Sequence, residues 1–575
     1  MALQRIQERH PTCSWTSRLL FQAQQHIYDL EGKRDQFNFH KFSALWSQIG
    51  DRCNAGFFDH CKPKTFSGGV KQLKRPDGSF AMTPEDMMQV ATDYYKELLT
   101  AEECTPEMYN CRRKVWSKIN PRVTEVMGVQ LTVPLTILEL TEAVQALSTN
   151  SCPGEDGLTP KFFSEYWEIL KSPLCEAFQA ILDIGRMPSQ LAKGLIFLIP
   201  KGDGPSDDIK KWRPITILST TYKILAKAVS LRLQPLLTTL IHVSQTGFIK
   251  ERSILDNIFT FWETTALASK SKQNLAVLLL DFEKAYDRVD WNFLEGTLLH
   301  FGFPRTWIRG VAALYSSASS RVLLAGGKGP AFELSRSVRQ GCPLAPFLFL
   351  FFAEALSTYL NAEDIGLKGI NIPLSDKELL ESEFADDTSL FLDGNGDNLH
   401  KAERAIQEFC LASGARINWS KTVGLWIGPT EPPSWTPDPG FRWIPKGTPV
   451  RYLGCQIGID LSREQQIAPL LLSMRQKLLG WSKSRLSLAG RVVVVNHVLL
   501  ATMWYTLSCW MFSKSCITQV QRMIRCFLWS GRGEGSARAK VAWSVITLPT
   551  SQGGLGIVDP IEQSKALLEK LVVQS

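Results

Sequence analysis

The chain has 575 residues, 44% of them apolar, with 17 Trp and 30 Phe, and a net charge of +8. That is enough apolar mass for several packed cores (about four domain-sized units by length alone), which excludes a globally disordered or strongly acidic protein. Thirteen Cys include no Cys-x-x-Cys pair, and His60-Cys61 with Cys53 nearby lacks a fourth ligand at zinc-finger spacing, so the thiols read as reduced and intracellular. The N-terminus, Met1 to His10, has no apolar core of the signal-peptide kind, and the apolar stretch Phe347 to Ala353 is too short to span a bilayer. No membrane segment, internal repeat or low-complexity tract is read.

Residues 1–130 read as mostly helical and mixed in charge, with nothing that suggests chemistry. Ile137 to Leu147 has helical spacing. Pro153 to Gly157 then breaks the chain, and Thr159-Pro160 predicts an N-cap followed by proline at the first helical position. Gly194 to Pro200 reads as a strand and Ser219 to Gln234 as a helix, with Ile224, Leu225, Val229, Leu231 and Leu233 on its apolar side. Leu275 to Leu280 is a strand-like run that ends at Asp281, and a helix-forming stretch follows. Arg321 to Leu334 predicts two short strands around Gly326-Gly327-Lys328. Gly341 to Pro346 predicts a turn into an apolar helix. Six prolines between residues 431 and 449 mark the expected boundary in the second half.

The most informative stretch is Phe384-Ala385-Asp386-Asp387, between Ser382-Glu383 and Leu390-Phe391-Leu392. It reads as two short strands whose turn carries adjacent carboxylates. Like charges repel, so aiming both at one place gains little unless a cation sits there. With Asp281 at the end of another strand, three carboxylates from two strands would hold two divalent ions about 4 Å apart. Taken alone, an Asp-Asp pair in a turn is more often a solvated loop, and Asp281 could equally cap a helix.

Charge is concentrated near the C-terminus. Residues 471–540 carry eleven basic side chains, among them Arg475, Lys477, Lys483, Arg485 and Arg491, against one acid, Glu534; that window is +10 and the rest of the chain −2. Trp481, Trp504, Tyr505, Trp510, Phe527 and Trp529 are interleaved with them. The plain reading is a helical domain with a solvated basic face; the sharper one, preferred because acids are so scarce, is a surface that tracks phosphates.

In order, these motifs resemble the reverse transcriptases of LINE-type (non-LTR) retrotransposons, plant-type, from about residue 137 to the end. Leu198-Ile199-Pro200-Lys201 with Trp212-Arg213-Pro214-Ile215 is similar to the fingers, and Gln245-Thr246-Gly247-Phe248 with Arg252 to the next block. Asp281 to Asp287, Arg339 to Leu344 and Phe384 to Asp387 resemble the first three palm motifs. Ile417-Asn418 with Lys421-Thr422, and Tyr452-Leu453-Gly454, resemble the fourth and fifth. Leu486 to Arg491 and Gly553 to Gly556 resemble segments downstream of the polymerase in plant-type elements. Ala345 departs from the Ser frequent in the family, and no endonuclease is read before the polymerase, nor ribonuclease H or zinc knuckle after it.

The resemblance implies roles. Asp281, Asp386 and Asp387 would hold two Mg2+ ions, which Mn2+ could replace, with the Phe282 carbonyl assisting. Lys201 and Arg213 would contact the triphosphate of the incoming nucleotide, Gln340 would touch that nucleotide, and Gly341 would let template or nucleotide approach the backbone. Lys421 is a candidate for protonating pyrophosphate. Tyr286 would block a 2′-hydroxyl, or else pack beneath the sheet.

The expected fold is α+β, a right-hand polymerase: residues 1–180 a mostly helical N-terminal extension, 181–458 fingers and a palm with a small antiparallel sheet, 459–575 a basic helical thumb and C-terminal segment. The expected activity is RNA-directed DNA synthesis on an RNA template from a DNA primer or target with deoxynucleoside triphosphates, without a membrane. Nuclear residence follows from the resemblance alone. The competing readings are a catalytically silent nucleic-acid-binding remnant, an RNA-templated RNA polymerase, and an intron maturase-like enzyme.

Overall fold

Six consecutive aliphatic residues, Leu275–Leu280, form the middle strand of a five-stranded sheet, and five of the six are buried. Such a run has no polar face to turn to water, so both faces must be covered. The computed structural model describes residues 70–574 except 202–205, 325, 374–377, 483–485, 511, 534 and 536. The readings made on residues 1–69, including Cys53, His60 and Cys61, and on Lys483, Arg485 and Glu534 lie outside the described residues.

The sheet order is Glu381–Phe384, Asp387–Asp393, Leu275–Leu280, Val423–Ile427, Arg442–Ile444; the first four run antiparallel and the last is parallel to its neighbour. Thr388 pairs with Leu280, and Val423 with Leu279. The helix Ala345–Leu360 is apolar on almost every side and buried along nearly its whole length. Phe351 meets Phe301 and Phe303, and Phe352 meets Phe293 and Phe409, mostly edge to face.

A second sheet places Lys193–Pro200 between Trp212–Leu218, antiparallel, and Ser319–Leu324, parallel; the short strands Gly327–Lys328 and Phe332–Glu333 both pair with Ser319–Leu324. The helices of the first half begin where threonines allow. Thr83, Thr105, Thr124, Thr136 and Thr159 each accept a backbone N–H in the first turn, and proline follows directly after Thr83, Thr105 and Thr159. These helices are packed in: the buried Arg112 pairs with Asp290 at 3.1 Å and donates to the Ala412 carbonyl.

The chain divides into two compact units after Ser462. The six prolines do not mark this boundary. They flank an ordered arm that adds the strand Arg442–Ile444 to the central sheet and packs Trp435, Phe441 and Trp443 together.

In the second unit the described residues are helical: Arg463–Trp481, Leu488–Cys509 with a wider turn at Val495–Leu500, Lys514–Ser530, Trp543–Ile546 and Pro560–Gln574. Met474, Leu478, Val495, Leu499, Phe527 and Ile557 lie in its core. Leu488–Cys509 is long and apolar enough by length and composition to cross a membrane, with mean hydropathy 1.5, although no membrane segment is expected from the sequence. Its buried residues serve this helical core, which accounts for its composition. Gly553-Gly554-Leu555-Gly556 is a tight turn. Gly554 lies against the Leu548 carbonyl, where a Cβ would stand 2.0 Å from the oxygen, and Asn496 donates to the Gly556 carbonyl.

Candidate active site

The Glu381–Phe384 and Asp387–Asp393 strands meet in a two-residue turn made by Ala385 and Asp386. Ala385 has φ +57°, a left-handed backbone that usually falls to glycine. The turn delivers Asp386 and Asp387 beside the end of Leu275–Leu280, where Asp281 follows. Asp281 is fixed through its backbone: its N–H donates to Thr422 Oγ1 at 3.3 Å and its carbonyl accepts from the Asn418 N–H at 2.8 Å. Phe282 bridges Ile417. The segment carrying Lys421 is therefore seated against Asp281.

The three carboxyls share one electrostatic environment. Burial raises the Asp281 pKa, and the Lys421 and Lys201 ammoniums oppose it. Asp386 is raised by burial and by the charge of Asp281, against the pull of Lys201 and Arg213. Asp387 reaches solvent but is crowded by the turn; burial, Asp386 and Asp281 push it up to about 6. Lys201 is lowered by burial and by the repulsion of Lys421 and Arg213. The structure thus links these groups through their fields: Asp281 with Lys201 and Lys421, Asp386 with Asp281, Lys201 and Arg213, and Asp387 with the other two carboxyls. Among the described residues no three acidic, His or Cys side chains are placed, as they stand, to hold a metal ion together. The donor set, hard carboxylate oxygens whose mutual repulsion a cation would relieve, suits a divalent ion.

Tyr286 is half-buried. Its ring stacks on Phe349 at 4.4 Å between centroids, and burial, then the Asp386 charge, raise its hydroxyl. Gln340 donates from Nε2 to Asp287 at 3.3 Å, and burial pushes the Asp287 carboxyl up to about 6. Gly341, at φ +123°, lies on strand Trp212–Leu218: a Cβ would stand 2.2 Å from the Thr216 carbonyl oxygen. The close approach at Gly341 is made by the protein's own strand, so template or nucleotide is not needed to explain the glycine.

Arg339 is fully buried, lies over the Tyr222 ring and donates to the Ala192 and Leu314 carbonyls; it ties the turn to the core. Tyr452 accepts from Ser389 Oγ at 3.0 Å, just behind the acidic turn. Leu453 and Gly454, both at positive φ, make the two-residue turn that follows it.

In the helical unit, Arg475 and Lys477 are exposed on Arg463–Trp481. Arg491 is half-buried: it donates to the Leu528 carbonyl and lies over Gly531, at the C-terminal end of Lys514–Ser530. Its charge is spent on a helix end, which sequence spacing could not reveal. Sequence reasoning also assigned no role to Gln245 or Asp287, although both lie inside the motifs it quoted. The signal was there in the motif, but the partner of each side chain was not.

Residues 199–457 match the family model described as reverse transcriptase (RNA-dependent DNA polymerase). The chain is 32% identical over 513 residues to the transposon TX1 uncharacterized 149 kDa protein of Xenopus laevis, covering 88% of this chain and 38% of that protein. It is 22% identical over 452 residues to the RNA-directed DNA polymerase from mobile element jockey of Drosophila melanogaster, covering 76% and 47%. It is 26% identical over 277 residues to the retrovirus-related Pol polyprotein from type-1 retrotransposable element R2 of Popillia japonica, covering 48% and 37%. The chain spans less than half the length of each of these relatives.

Proposed function

The chain belongs to the reverse transcriptases of non-LTR retrotransposons, and from that premise we propose that it extends a DNA primer on an RNA template, using deoxynucleoside triphosphates. The observation that carries this reading is the meeting of Asp281 with Asp386 and Asp387 at neighbouring strand ends.

In the right-hand arrangement, the central sheet is the palm, the sheet built on Lys193–Pro200 belongs to the fingers, and the basic helical unit after Ser462 is the thumb. Asp281, Asp386 and Asp387, with the Phe282 carbonyl, would hold two Mg2+ ions, for which Mn2+ can substitute. When bound, the pair lowers the pKa of the primer 3′-hydroxyl and neutralises charge on the transferring phosphoryl group. Lys201 and Arg213 bind the triphosphate, Arg213 through its forked donors. Lys421 stands where a proton can pass to departing pyrophosphate. Asp287 orients Gln340 toward the nucleotide, and Tyr286, backed by Phe349, closes the space a 2′-hydroxyl would need. Arg475 and Lys477 follow the phosphates of the product duplex. Leu486 to Arg491 and Gly553 to Gly556 support the plant-type affiliation, and the family resemblance alone argues for work in the nucleus.

The test is extension of an end-labelled DNA primer annealed to RNA or to DNA of the same sequence. The expected result is Mg2+-dependent synthesis on the RNA template that EDTA abolishes. No product on RNA, or preferential use of ribonucleotides, would overturn the proposal.

A further inference from the structure

The acidic turn does not hold its shape by itself. Ala385 sits in the left-handed region at φ +57°, a backbone that a non-glycine residue adopts only under constraint. Its neighbour in space is Gln245, whose side chain is fully buried. Gln245 Oε1 accepts from the Ala385 N–H at 2.8 Å and from the Gly247 N–H at 2.9 Å; Nε2 donates to Glu383 Oε2 at 3.1 Å and to the Ala385 carbonyl at 3.3 Å. The carboxamide is saturated, and only this orientation satisfies two donors on one side and two acceptors on the other. It grips both backbone polar groups of Ala385, the residue directly before Asp386.

The segment bearing Gln245 is itself fixed. Glu383 N–H donates to the Ser244 carbonyl at 2.8 Å, and Thr246 N–H to the Glu383 carbonyl at 2.9 Å, so the segment pairs with the Glu381–Phe384 strand. Asn257 donates to Ser382 Oγ and to the Glu383 carbonyl. Arg252 donates to the carbonyls of Thr238, Ile241, His242 and Gln245. Gly247 lets the two backbones close up, since a Cβ there would stand 2.5 Å from the Ala385 nitrogen.

We propose that Gln245 is a positioning residue: its carboxamide holds Ala385 left-handed and thereby sets where the Asp386 and Asp387 carboxylates point. The inference rests on the polymerase reading above. It assigns to the Gln-Thr-Gly-Phe segment the task of shaping the metal-binding turn, without touching metal or substrate. Loss of the clamp leaves two buried N–H groups without an acceptor and frees the turn to leave the left-handed region.

The test is Mn2+ binding to the purified full chain without nucleotide, followed by electron paramagnetic resonance, with thermal unfolding and primer extension measured in parallel. Gln245→Met, close in shape but without the amide, is expected to weaken Asp386-dependent Mn2+ binding by about tenfold or more, as removing a group that orients a ligand does. Gln245→Asn, too short to reach Ala385, should do the same and supplies the comparison if Gln245→Met fails to fold. Adding Ala385→Gly to Gln245→Met should recover part of the affinity, because glycine adopts the turn unaided; recovery of the thermal midpoint with no recovery of affinity would mark a purely structural role and count against the inference. Unchanged Mn2+ affinity in both single variants would overturn the inference while leaving the polymerase reading intact. Wild-type chain whose Mn2+ binding ignores Asp386→Asn would instead overturn the metal centre itself.

Discussion

Burial pushes the Asp287 carboxyl up to about 6, and burial first of all pushes Glu381, behind the turn, up to about 7. Each folded-state value lies above the ordinary carboxyl value, so between about pH 4 and pH 7 these groups bind more protons in the folded chain than in the unfolded one. The stabilisation present at low pH is therefore lost as pH rises through about 6 to 7. In EDTA the thermal midpoint should fall between about pH 5 and pH 7.5, and Asp287→Asn, which keeps an acceptor for Gln340, should flatten that fall. A slope unchanged by Asp287→Asn would remove this carboxyl from the explanation. Added Mg2+ should raise the midpoint more at the upper end of the range, where it no longer competes with protons. At position 286, Tyr286→Ala should raise ribonucleotide use relative to deoxyribonucleotide use in single-nucleotide incorporation; an unchanged ratio would leave Tyr286 only its packing on Phe349.

Among elements, the strands and helices that build the site were legible because their patterns are locally unambiguous. Leu275–Leu280 is uninterrupted aliphatic, Ser219 caps Thr220–Leu233, and Thr159-Pro160 opens Pro160–Glu165. What could not be read was partnership across long separations: Gln245 with Ala385, Gly341 with Thr216, Arg491 with Leu528. The proline-rich stretch misled for a related reason, since proline excludes regular hydrogen bonding but not the packing of Trp435 and Phe441 around it. The helical unit separates two kinds of arginine. Arg475→Ala with Lys477→Ala should weaken RNA binding about evenly across sequences and lower the salt slope by about two. Arg491→Ala should leave that slope alone and lower stability by about 1 kcal/mol, seen in denaturant unfolding, because a helix end loses its donor. The reverse pattern would contradict the placement of these side chains.

For the molecule as a whole, charge and chemistry are divided between two units. The first, Phe66–Ser462, carries the acidic turn together with Lys201, Arg213 and Lys421, while the basic excess lies in the second. In the proposed polymerase, that division would let the basic unit hold a polyanion while the acidic turn concentrates negative charge at the point of reaction. The account depends on Asp281, Asp386 and Asp387 acting as one centre. Its most direct test is the rate of primer extension on an RNA template by wild-type chain and by the Asp386→Asn, Asp387→Asn double variant, both confirmed folded. About 4 kcal/mol of lost charge stabilisation predicts a fall of about a thousandfold. Extension by the double variant at a rate close to wild type would contradict the account.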